Sequence, residues 1–85
     1  MSRTLDVMLD DALWADVEAG TEALVEEWLV APGATVQAGQ HLATVVLVKS
    51  SHEVTAPGTG VLEAIAVPPE ATFARGVALA TVREA

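Results

Sequence analysis

An internal repeat constrains this chain more than any other feature. Sliding the sequence by 37 residues lays residues 25–45 over 62–82 without a gap. Ten of the twenty-one pairs are identical: Glu26/Glu63, Val30/Val67, Pro32/Pro69, Ala34/Ala71, Thr35/Thr72, Gly39/Gly76, Leu42/Leu79, Ala43/Ala80, Thr44/Thr81 and Val45/Val82. Even a chain rich in Ala and Val does not reach that agreement easily by chance. Two copies of so long a period are too few for a solenoid. The economical arrangement is two similar units packed face to face about a pseudo-two-fold axis and sharing one core.

The punctuation of the chain makes those units β. Runs rich in Val, Leu, Thr and Ala are separated by turn signals at Ala31-Pro32-Gly33, Ala38-Gly39-Gln40, Ala56-Pro57-Gly58 and Val67-Pro68-Pro69-Glu70. Strands are expected near 5–9, 23–30, 41–48, 52–56, 60–67 and 77–82, with extended pieces at 35–37 and 72–74. Residues 11–19 and 21–29 also have helix-compatible composition, so helix remains open there, and the docking of residues 1–22 is the least constrained part of the fold. The 85 residues are read as one domain, 1–85. A chain of this size buries roughly 60–65% of the surface it exposes when unfolded, which leaves no room for a deep enzymatic cleft.

Charge and composition narrow the function. Twelve acids against four basic residues give a net charge of -8, which repels phosphate backbones and anionic lipid and argues against nucleic acid or membrane as partners. There is no cysteine, so disulfides, thiolate metal sites and a thiol nucleophile are excluded. Residues 28–48 lack Asp, Glu, Lys and Arg, about the length of a membrane helix. Pro32, Gly33, Gln37, Gly39, Gln40 and His41 interrupt that stretch, which reads better as two strands and a turn. No secretory pattern opens the sequence, so a cytoplasmic location is expected.

Lys49 is the only lysine, and between Trp28 and His52 it is the only formally charged side chain. It follows the apolar run Val45-Val46-Leu47-Val48 and precedes Ser50-Ser51, a change from strand-forming to turn-compatible residues. That predicts a hairpin tip joining the two copies of the repeat, with Leu47, Val48, Ser50 and Ser51 as its flanks. A cation at a strand end also discourages edge-to-edge pairing, but a solitary amine is what selective acylation would favour. Other residues offer less. His41, His52 and Glu53 lack metal-ligand spacing, Ser50 and Ser51 beside His52 lack an oxyanion-hole signature, and Trp14 and Trp28 read as packing.

Residues 23–82, about two-thirds of the chain, resemble the lipoyl and biotinyl attachment domains of 2-oxoacid dehydrogenase acyltransferases, glycine-cleavage H-proteins and biotin carriers. The resemblance rests on Trp28-Leu29-Val30, Pro32-Gly33, Val36, Gly39, Leu42, Lys49, Ala56-Pro57 and Gly60, with the turn glycines Gly39 and Gly60 ten residues before and eleven after Lys49. It implies an all-β fold, a flattened β-barrel or barrel-sandwich hybrid of two four-stranded antiparallel sheets with pseudo-two-fold symmetry. It also implies that Lys49 carries a covalent cofactor. Biotin carriers usually place methionine on both sides of the lysine, whereas Val48 and Ser50 stand here. Dehydrogenase lipoyl domains commonly show Glu-Thr-Asp-Lys-Ala, against Val46-Leu47-Val48-Lys49-Ser50. H-proteins often carry Val-Lys.

The leading expectation is therefore a non-catalytic lipoyl carrier with a swinging arm on Lys49. The resemblance implies a lipoate ligase or lipoyl transferase as its modifying partner. It further implies a thiamine-dependent decarboxylase, an acyltransferase and a dihydrolipoamide dehydrogenase as the enzymes it serves in a 2-oxoacid dehydrogenase-type or related complex. A biotin carrier of a carboxylase or decarboxylase is the alternative, and an unmodified lipoyl-like binding or assembly module is the third reading.

Overall fold

The computed structural model describes residues 3–84. Eight strands are formed: β1 Thr4–Val7, β2 Glu22–Trp28, β3 Thr35–Val36, β4 His41–Leu47, β5 Ser50–Thr55, β6 Gly60–Ile65, β7 Thr72–Ala74 and β8 Ala80–Glu84. They make two four-stranded antiparallel sheets, in the orders β1-β8-β6-β3 and β5-β4-β2-β7. Among the described residues the two sheets are not hydrogen-bonded into a closed barrel, so the architecture lies at the sandwich end of the flattened barrel expected from the sequence. The molecule is elongated, 39 × 21 × 18 Å.

The repeat is realised residue by residue. Val25 faces Val45 and Leu62 faces Val82, and each pairing is followed by a one-residue bulge, at Glu26 in β2 and at Glu63 in β6. The short strands are exchanged between halves. β3 pairs with β6, and β7 with β2. Gly33 N–H donates to the Leu62 carbonyl and, in the matching bond, Glu70 N–H donates to that of Val25, both at 2.7 Å. Neither half can close its sheet without the other, which ties the two copies into one cooperative unit.

Two-residue periodicity explains why residues 22–28, open to helix on composition, form a strand. Ala23 and Val25 are fully buried while Glu22, Leu24 and Glu26 point out, and a helix would scatter those residues around its circumference. The core is built from symmetric pairs: Leu42 with Leu79, Val45 with Val82, Val25 with Leu62 and Val54 with Val7, none more than 1% exposed. No polar or charged residue is buried among the described positions. Trp28, half-buried, donates from Nε1 to the Val67 carbonyl at 2.8 Å, linking β2 to the turn that follows β6.

The segment between β1 and β2 breaks the symmetry. Residues 11–14 form a single 3-10 turn, capped by the Asp10 carboxylate accepting from Ala12 N–H at 3.0 Å. Trp14 then buries against Phe73, edge to face at 6.0 Å between centroids, and Leu13 and Val17 pack against the core beside it, so the segment least constrained by sequence docks around an aromatic anchor. Among the described residues no helix is long and apolar enough to cross a membrane.

Candidate functional site

β4 and β5 pair down to Leu47 opposite Ser50, which leaves only Val48 and Lys49 to turn the chain. Two-residue connections favour the turn types whose twist matches that of the strands. Val48 has φ 58 and Lys49 stays outside the positive region, the pattern of a II′ turn, whose first central residue is usually glycine. The strand expected to run through residue 48 therefore ends at Leu47, because the ladder must stop where the backbone reverses.

The tip sits on a fixed base. Leu47 is buried at the end of β4, while Val48, Lys49, Ser50 and Ser51 are exposed. All three arginines are paired: Arg3 with Glu84 at 3.2 Å, Arg75 with Asp11 at 2.7 Å and Arg83 with Glu63 at 3.1 Å. Among the described residues Lys49 alone of the Lys and Arg side chains has no such carboxylate partner. Its side chain is exposed at the end of the β4-β5 ladder and uncommitted to the fold.

The turn glycines serve the frame and not the tip. Gly39, at φ 83, donates its N–H to the Ala56 carbonyl at 2.9 Å, and neighbouring Ala38 N–H donates to Thr59 Oγ1 at 3.1 Å. These contacts close the end of β4 and β5 opposite Lys49. Gly60 lies between β8 and β3, where a Cβ atom would come 2.0 Å from the Arg83 carbonyl oxygen. Only glycine lets β6 and β8 approach so closely here.

The remaining polar candidates have structural roles. His41 Nδ1 meets Glu53 Oε1 at 3.2 Å and Nε2 meets the Ala43 carbonyl oxygen at 2.9 Å. His52 precedes Glu53 by one strand position and so faces the other way. No group of three metal-ligating side chains occurs among the described residues. A groove of about 360 Å³, lined by Trp14, Val17, Gly20, Thr21, Ala74 and Arg75 among others, borders the symmetry-breaking segment.

A family model, that of the biotin/lipoyl family described as Biotin-requiring enzyme, matches residues 16–82. The chain belongs to that family. A search of curated proteins found no match. Biotin/lipoyl domains are carriers, generally non-catalytic, that hold lipoate or biotin covalently on a lysine and work within multienzyme complexes or carboxylases. This biotin/lipoyl domain fits such a group, since its one lysine is exposed and unpaired among the described residues.

Leu24 and Val46, which the sequence alone does not single out, form an apolar pair near the tip. They face each other across β2 and β4 on the outer surface, one step from the tip. The available signal was Leu24 itself, an apolar residue on the polar phase of a strand whose buried phase is Ala23 and Val25.

Proposed function

We propose that this domain carries lipoate on Lys49 and moves acyl groups and electrons between the separate enzymes of a 2-oxoacid dehydrogenase-type or related complex. The observation that supports the reading best is the solitary amine, held clear of carboxylates on a two-residue turn in a member of a lysine-modified carrier family. Joined to it as an amide, lipoate supplies a dithiolane that takes an acyl group and two electrons. The domain supplies position. Leu47 anchors the end of β4, the Leu47 to Ser50 pairing fixes where the arm is rooted, and acylation removes the only charge on the tip. Tethering makes successive active-site encounters local and raises their effective concentration. The partners that follow are a lipoate ligase or lipoyl transferase, a thiamine-dependent decarboxylase, an acyltransferase and dihydrolipoamide dehydrogenase, acting in the cytoplasm.

Lipoate is preferred to biotin because Val48 and Ser50 stand where biotin carriers usually have methionine. The intact mass of protein from its native host decides. A lipoyl adduct on Lys49 is expected, lost in Lys49→Arg with folding almost untouched, since an exposed substitution costs little. A biotin adduct replaces the cofactor assignment. An unmodified chain, or unfolding of Lys49→Arg, refutes the carrier role of Lys49.

A further inference from the structure

One row of outward-facing side chains differs between the two sheets in its apolar character. Across one sheet, Ser51, Val46, Leu24 and Thr72 stand in register on neighbouring strands. The symmetry-related row of the other sheet is Thr4, Arg83, Val61 and Thr35. A cation, held by Glu63, thus interrupts one face where the other has an unbroken apolar pair, Val46 beside Leu24. That pair lies one step down the ladder from the hairpin, and Leu24 remains 38% exposed. Directly facing residues on adjacent strands have Cβ atoms roughly 5 Å apart, so the two side chains form one continuous surface.

Val48, two residues beyond Val46, adds an exposed apolar side chain beside the lysine. It is β-branched, yet it occupies a positive φ that such residues rarely adopt, and its side chain is 61% exposed. The fold gains almost no burial from it, while glycine or asparagine would adopt the same backbone with less strain. A strained and exposed apolar residue beside a candidate modification site points to a contact made outside the chain.

We propose that Leu24, Val46 and Val48 form an apolar ledge on which the enzyme that acylates Lys49 docks. The inference rests on Lys49 being the attachment residue. Continuity with that residue selects the occupant. An enzyme that acylates Nζ must bring its acyl carbon within bonding distance and so must cover the tip and the row beside it. Enzymes that use the loaded arm meet its far end and are not forced onto Val46 or Leu24. In the step itself, the Lys49 ammonium gives up a proton and Nζ attacks the carbonyl of an activated acyl donor, an acyl adenylate. The amide C–N bond forms, the second nitrogen proton is lost, and the mixed-anhydride C–O bond breaks with its electron pair leaving on AMP.

The test compares variants of the chain expressed in the native host, reading the fraction of Lys49 acylated by intact mass after a fixed time, together with the melting temperature. Val48→Asn is expected to melt about 4 °C or more above wild type while its acylation rate falls about tenfold or more, the scale of a lost apolar contact. Leu24→Thr and Val46→Thr should lower acylation in the same direction without unfolding. Val48→Ile should retain it. So should Val61→Thr, the counterpart of Leu24→Thr on the other sheet. Wild-type acylation in Val48→Asn, Val46→Thr and Leu24→Thr overturns the ledge while leaving Lys49 as the attachment site, and so does an equal loss in Val61→Thr. A folded wild-type chain without any adduct removes the Lys49 reading and the ledge with it.

Discussion

Replacing Gly60 by alanine adds one methyl group where two strands leave no space for it. The new Cβ would lie 2.0 Å from the Arg83 carbonyl oxygen and 2.8 Å from its carbon, about 1.4 Å short of ordinary contact at 3.4 Å. Both neighbours are backbone atoms of a paired strand, so no side-chain rotation relieves the overlap; β6 and β8 must part or shear. Overpacking by a single methylene costs about 1–3 kcal/mol, and a clash with backbone belongs at the upper end. For a chain of this length total stability is on the order of 4–13 kcal/mol, and about 3 kcal/mol lowers the melting temperature by roughly 12–24 °C. Gly58→Ala is the control. Its Cβ would meet Leu5 Cδ1 at 2.7 Å, the far end of a flexible and partly buried side chain that can turn aside, so a loss of about 1 kcal/mol is expected. Calorimetry of the three proteins at one pH is sufficient. A Gly60→Ala melting point within about 4 °C of wild type, or a larger loss from Gly58→Ala, would refute the claim that backbone proximity fixes residue 60.

Three further outcomes are expected. Glu70 occupies, at φ 71, the position that Gly33 holds in the other half; Glu70→Gly should stabilise by about 1 kcal/mol, the relief of the left-handed backbone less the entropy of glycine, measurable by urea denaturation. Trp28→Phe removes the bond from Nε1 to the Val67 carbonyl and should destabilise by about 1–3 kcal/mol by the same assay. The Arg75 guanidinium, through its two hydrogen bonds and then its charge, holds the Asp11 carboxyl below its usual 3.8. A lowered folded-state value gives stability that is present above 3.8 and lost as pH falls through the lowered value. The pair is exposed, so the effect is small, and Asp11→Asn should flatten melting temperature against pH only in that acid window.

The repeat makes the architecture legible in the sequence. Identical residues at a spacing of 37 map onto identical registers, and even the bulges fall on the repeated acids Glu26 and Glu63. Strand positions followed from Pro and Gly punctuation, although ends moved by one to three residues where turns demanded it, as at Val48 and Val67. Residues 11–14 were not legible, because a 3-10 turn of one cycle leaves no period to detect and Trp14 is placed by Phe73 across the fold. The exposed lysine at a hairpin was legible from its isolation in an uncharged stretch. The positive φ of Val48 was not, since nothing in a Val-Val-Leu-Val run announces where the ladder of β4 and β5 will stop. The outward row of Leu24 and Val46 depends on a register between distant segments, which composition alone does not supply.

The pseudo-two-fold axis gives the shell two equivalent corners, and Val48 and Lys49 turn the chain at one of them. At the other, Glu84 N–H donates to the Arg3 carbonyl at 2.7 Å, and two strand ends lie side by side where the first corner has Val48 and Lys49. A symmetric body is thereby made directional: one pole bears a tight turn with a lone exposed cation, and the opposite pole is closed by a backbone pairing of β1 with β8.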